Sequence, residues 1–127
     1  GAGCIICPFA TVGNIAQLGE QVVLTFYASV GHDARVGACS VLSPYAVTNG
    51  GSVLGDGVFL GARATVNPGK RVGANAKVVA GAVVYHDVPA NALARGNAPR
   101  ASASLPHHAA ASAAPSDGRT RGTGGGP

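Results

Sequence analysis

Every sixth residue from Ile6 to Val84 is aliphatic, with one exception. The positions are Ile6, Val12, Leu18, Leu24, Val30, Val36, Leu42, Thr48, Leu54, Leu60, Val66, Val72, Val78 and Val84, and only Thr48 departs. A helix needs apolar recurrence near 3.6 residues and an ordinary strand near 2, so an unbroken period of six matches neither. Each unit must hold a short strand and a bend. Three units then close a triangular coil of eighteen residues with the aliphatic side chains inward, and successive coils pair strand to strand about 4.8 Å apart.

The residues around that position carry the same phase. Two places before it stands a small side chain in most units, namely Ala10, Ala16, Ala28, Ala34, Ser40, Ala46, Ser52, Ala64, Ala76 and Ala82, while Val22, Val58 and Lys70 are exceptions. A small residue there suits a corner. One place after it stands Gly13, Gly19, Gly31, Gly37, Gly55, Gly61 or Gly73, with Asn49 and Asn67 in two other units. Gly and Asn tolerate positive φ, so the left-handed backbone of each corner is expected at these positions. About four and a half coils run from residue 6 to residue 87. Each inward Val, Leu or Ile contributes about 1.5–3 kcal/mol on burial, whereas the coil ends remain open edges that need a cap or a partner.

Composition agrees with one repetitive domain. The chain has 127 residues, and its 20 Gly and 8 Pro are mostly phased with the repeat instead of being scattered. The period stops after residue 100, and Ala, Ser, Pro and Gly dominate to the end. Residues 1–100 therefore read as the β-helix domain and residues 101–127 as a disordered tail that can form no core. The net charge of +4 is spread without a basic run, which argues against a nucleic-acid surface. No stretch is long and apolar enough for a membrane span and no signal peptide opens the chain, so the default compartment is the cytoplasm. Cys4 and Cys7 form a C-x-x-C without the second pair that a zinc site needs, and no metal is expected.

The phased repeat resembles the hexapeptide-repeat transferases, whose fold is a left-handed parallel β-helix. The hand comes from the resemblance, since parallel crossovers are right-handed in nearly all folds. Within the repeat, S-V-G-H-D-A-R-V-G from Ser29 to Gly37, T-N-G-G-S-V-L-G from Thr48 to Gly55 and V-V-Y-H-D-V-P from Val83 to Pro89 are similar to a narrower group. That group contains the sialic-acid O-acetyltransferases and the bacillosamine-type UDP-amino-sugar N-acetyltransferases. The resemblance covers roughly residues 3–100 and implies an acetyl-CoA-dependent N- or O-acetyltransferase acting on a sugar or nucleotide sugar, assembled as a homotrimer.

It also implies roles for particular residues. The histidine of V-G-H-[DE] is the general base of that group and the acid after it supports it, here His32 and Asp33. The chemistry calls for such a group, because an amine or hydroxyl loses a proton as it attacks a thioester and an imidazole accepts one near neutral pH. The N-G motif one coil later supplies an amide toward the acetyl oxygen, here Gly50. Further coenzyme contacts carry over to Ala62 and Ala80, and to Val41, which stands where some relatives have a second histidine. Taken by themselves, a lone histidine beside a corner and an Asn-Gly pair are surface residue and turn. Lys70, Arg71, Arg95 and Arg100 are candidates for the coenzyme phosphates or plain solvated charges, and His86 reads as a surface residue.

Two features depart from the pattern. The final loop reads G-N-A-P-R from Gly96 to Arg100 where relatives have G-N-P-A-[KR]. Relatives also carry an N-terminal α/β domain for the nucleotide sugar, whereas this chain starts almost at the first coil, as a fragment would. The acceptor is therefore not legible. A γ-type carbonic anhydrase shares the β-helix but needs three histidine ligands, and the coils offer only His32 and His86. The non-enzymatic alternative is a trimerisation scaffold without its sugar-binding domain.

Overall fold

A computed structural model of the chain describes residues 1–96; Arg100 and the tail expected to be disordered lie outside the described residues. The fold is the expected left-handed parallel β-helix, built from two-residue strands with no helix among the described residues. Three sheets form the faces of a triangular prism. The first face runs from Ile5–Ile6 through Val23–Leu24, Val41–Leu42, Phe59–Leu60 and Lys77–Val78 to Leu93–Ala94. The second holds Thr11–Val12, Ser29–Val30, Val47–Thr48, Thr65–Val66 and Val83–Val84, and the third holds Gln17–Leu18, Arg35–Val36, Val53–Leu54 and Arg71–Val72. Strands pair in register eighteen residues apart, as Val30 with Thr48 and Thr48 with Val66.

The inward column is the core. From Leu24 to Val84 every phased position is exposed by 2% or less. The positions two residues earlier are buried with them except at Lys70, and they include Val22 and Val58. These two alternate in one column with the small Ser40 and Ala76, so large and small side chains interleave along the axis. At the open first coil, Ile6 and Val12 keep the inward phase but lack a coil beneath them, and remain 51% and 42% exposed.

The glycines serve a different purpose from the one expected of them. Positive φ falls two residues further on, at the second residue of each turn: Ile15 (60°), Asp33 (58°) and Arg63 (60°) follow Gly13, Gly31 and Gly61. The phased glycines are required by close approach instead. A β-carbon on Gly13 would lie 2.6 Å from the His32 amide nitrogen, one on Gly31 2.7 Å from the Asn49 carbonyl carbon and one on Gly55 2.6 Å from the Ala74 amide nitrogen. At these glycines the next coil's backbone rests directly on the residue leaving the strand, and no side chain fits between.

The prism also extends past the last aliphatic position found by stepping in sixes. Val84 is followed after four residues, not six, by Val88, which bridges to Val72, and Leu93–Ala94 then pairs with Lys77–Val78. The last coil is thus two residues short. At the shortened corner the Asp87 carboxylate accepts the Arg71 amide at 2.9 Å, so a side chain supplies a bond otherwise made by backbone.

Candidate active site

Three corners separate the faces, and each stacks residues eighteen apart. The third corner, between the second and third faces, carries Asn14–Ile15, His32–Asp33, Gly50–Gly51 and Pro68–Gly69 in successive coils. Its backbone is tied coil to coil: the Asp33 amide donates to the Asn14 carbonyl at 3.0 Å, the Gly51 amide to the His32 carbonyl at 2.9 Å and the Gly69 amide to the Gly50 carbonyl at 3.0 Å. The spacing between His32 and Gly50 is therefore set by the ladder and does not depend on side-chain packing.

His32 Nδ1 lies 3.0 Å from Asp33 Oδ2, with the two side chains 73% and 57% exposed. An exposed pair of this kind adds little stability. Its effect is on the ring: a proton on Nδ1 is held by the carboxylate, which leaves Nε2 as the lone-pair nitrogen. Asp33 takes the left-handed backbone that Asp accepts more readily than most residues. Nε2 faces Gly50, where an added β-carbon would overlap it and come within 2.6 Å of Cε1. The Gly50 N–H has no partner among the described residues.

The turn that carries Gly50 is braced from within, which accounts for the one break in the aliphatic phase. Thr48 is fully buried, and its hydroxyl lies 2.6 Å from Ser52 Oγ, which itself donates to the Asn49 carbonyl at 2.6 Å. Ser52 has one proton, so Thr48 donates to Ser52. The Asn49 side-chain amide donates to the Val66 carbonyl at 2.9 Å. A buried polar chain with every member satisfied fixes a turn more tightly than an aliphatic side chain would.

The other residues singled out from sequence lie elsewhere. Ala62 and Ala80 are exposed at the second corner, between the first and second faces and across the second face from His32, and Val41 lies half-buried on the first face. On one prism they do not meet His32. Lys70 and Arg71 follow Pro68 and Gly69 past the third corner, Arg95 stands beside Val79 at the second, and His86 is half-buried in the shortened turn. Among the described residues no three His, Cys, Asp or Glu side chains converge.

Sequence reasoning missed a column at the second corner. Phe9, Tyr27 and Tyr45 stack with ring centroids 5.0 and 4.9 Å apart, and the Arg63 guanidinium lies 5.2 Å from the Tyr45 centroid. The spacing of eighteen was the available signal.

Comparisons with known proteins agree with this architecture. Residues 53–86 match the family model described as the hexapeptide repeat of succinyl-transferase. No curated protein sequence matches the chain. Among solved structures, WeeI from Acinetobacter baumannii is similar with a TM-score of 0.66 and 26% identity over 72% of this chain and 49% of its own. A histidine-to-asparagine variant of perosamine N-acetyltransferase from Caulobacter crescentus, in complex with CoA and GDP-perosamine, has a TM-score of 0.57 and 30% identity over 68% of this chain and 47% of its own. The acetyltransferase domain of PglB from Neisseria gonorrhoeae, in complex with acetyl coenzyme A, has a TM-score of 0.57 and 27% identity over 68% of this chain and 51% of its own. The chain spans about half the length of these structures. The resemblance to hexapeptide-repeat sugar acetyltransferases thus rests on fold as well as motif.

Proposed function

We propose that this hexapeptide-repeat β-helix is the coenzyme-binding and catalytic part of an acetyltransferase that moves an acetyl group from acetyl-CoA to an amine or hydroxyl of a sugar or nucleotide sugar. The observation that carries the proposal is the stacking at the third corner: an imidazole oriented by Asp33, and one coil above it an unpartnered amide at Gly50. Relatives of the same fold hold CoA, acetyl-CoA and a GDP-linked amino sugar, which supports the ligand classes.

The transfer is direct. The acceptor nitrogen or oxygen attacks the thioester carbonyl carbon while His32 Nε2 takes its proton. The Gly50 N–H bonds the oxyanion of the tetrahedral adduct. The carbon–sulfur bond then breaks, and the proton on His32 passes to the departing thiolate. Asp33 stabilises the imidazolium in between.

The site is shared between copies in this reading. Ala62 and Ala80 on one prism lie across the second face from its own His32, so a coenzyme that touches both corners lies between neighbouring prisms of a homotrimer, with Val41 on the adjoining face. The apolar exposure of Phe26, Tyr27 and Phe59 supports such an assembly.

Calorimetric titration with acetyl-CoA, followed by detection of free thiol released in the presence of amino sugars, tests the proposal. Binding with thiol release dependent on acceptor is expected. No binding at millimolar acetyl-CoA to a folded trimer would leave the scaffold as the better reading.

A further inference from the structure

The aromatic column at the second corner ends on a charge. Phe9, Tyr27 and Tyr45 are nearly parallel, at 9° and 5°, and Arg63 lies over the last ring. A cation–π contact of this kind takes up none of the guanidinium N–H donors. Among the described residues nothing takes them: the one ion pair is His32 with Asp33, and the acids Glu20 and Asp56 belong to the corner between the third and first faces, with Asp33 and Asp87 at the third corner.

The surroundings add positive charge and space. One coil above Arg63, a β-carbon on Gly81 would meet nothing within 4 Å among the described residues. Lys77 is exposed on the strand leading into that coil, and Arg95 follows Ala94, whose carbonyl accepts the Val79 amide at 2.9 Å. Of these two cations Arg95 belongs to the same corner as Arg63, while Lys77 lies on the adjoining face. Ala62, the neighbour of Arg63, and Ala80 are the small residues already assigned to the coenzyme groove.

We infer that Arg63 is a phosphate-binding residue, held in a fixed pose by Tyr45 and the rings beneath it so that its planar fork meets two phosphoryl oxygens. The inference rests on the acetyltransferase reading, which brings two phosphorylated ligands to the site. The phosphates belong either to the coenzyme or to a nucleoside diphosphate on the acceptor. A guanidinium that merely capped the ring column would touch neither.

Four ligands separate these possibilities: coenzyme A, UDP and GDP by calorimetry, and pantetheine, which lacks the diphosphate, by nuclear magnetic resonance titration at millimolar concentration. Arg63→Gln is expected to weaken coenzyme A or a nucleoside diphosphate by about tenfold and leave pantetheine unchanged. Arg63→Lys, which keeps the charge and loses the fork, is expected to recover only part of the loss. Whichever phosphate ligand responds identifies the source. Unchanged affinities in Arg63→Gln, with coenzyme A bound normally, would overturn this inference and leave the acetyltransferase reading standing. Equal weakening of pantetheine would also overturn it, because the effect would then lie in the groove and not on phosphate. If the unaltered protein bound nucleoside diphosphate through Arg63 but no coenzyme A, the inference would survive and the coenzyme reading would not. Binding of neither phosphate ligand would end both.

Discussion

Gly50 and His32 touch across one coil: a β-carbon at Gly50 would occupy the space of the imidazole edge that carries Nε2. The obstructing atoms are at the end of a side chain, not in backbone. Gly50→Ala is therefore expected to fold with little change in melting temperature, while the displaced ring lowers acetyl transfer at least tenfold. Thermal unfolding beside turnover checks both halves, and normal turnover would show that the contact is incidental.

Gly31→Ala should behave in the opposite way. There the added carbon meets the Asn49 carbonyl carbon at 2.7 Å, and a stacked coil cannot yield locally. The expected loss is about 2–3 kcal/mol, at the upper end for overpacking. Gly51→Ala, with open space around it but φ at 69°, should cost only about 1 kcal/mol from left-handed backbone. Chemical denaturation of the two variants, measured together, distinguishes close approach from conformation as the role of each glycine.

His32→Ala is expected to lower turnover by about two orders of magnitude or more, the usual scale for a general base, with coenzyme affinity little altered. Asp33→Asn should cost less, since the amide still orients the ring. Steady-state kinetics with an acceptor in hand, together with calorimetry, decides the matter; near-normal turnover in His32→Ala would remove the base from the mechanism.

The Thr48 and Ser52 hydroxyls predict an asymmetry. Ser52→Ala strands the buried Thr48 donor, while the Asn49 carbonyl keeps only the backbone amide of residue 52, at a cost of about 1–3 kcal/mol. Thr48→Val leaves the Ser52 bond to Asn49 intact and restores the aliphatic column, so its effect on stability should lie within about 1 kcal/mol. Equal losses in denaturant midpoints would mean the proton is placed differently.

Sedimentation equilibrium should find a trimer at micromolar concentration. Phe26, Tyr27 and Phe59, exposed by 52%, 46% and 41%, are then covered by neighbouring copies. A stable monomer would count against a site shared between prisms.

Much of this protein was legible in its sequence, for a physical reason. A repeat of six leaves one side chain per unit pointing inward, so stepping from Ile6 named the core column without any knowledge of the third dimension. The same repeat, taken three at a time, put Gly50 over His32. The V-G-H-D and T-N-G-G runs singled out the residues that meet at the third corner.

Tertiary structure decided what depends on the neighbouring coil. Gly13 and Gly31 look like left-handed turn residues until the next coil is laid on them; only then does close approach appear as their role, with the positive φ displaced to Ile15 and Asp33. Ala62 and Ala80 stand two places after the aliphatic position, as His32 and Gly50 do, and sequence does not say that they lie across a face from His32. Thr48 looked like a lapse in the pattern, yet its hydroxyl finds Ser52 only when the turn is closed. The shortening between Val84 and Val88 breaks the period itself, so no stepping rule could follow the chain past it; the parallel pairing of Val88 with Val72 does, because hydrogen bonds respond to distance in space and not to spacing along the chain.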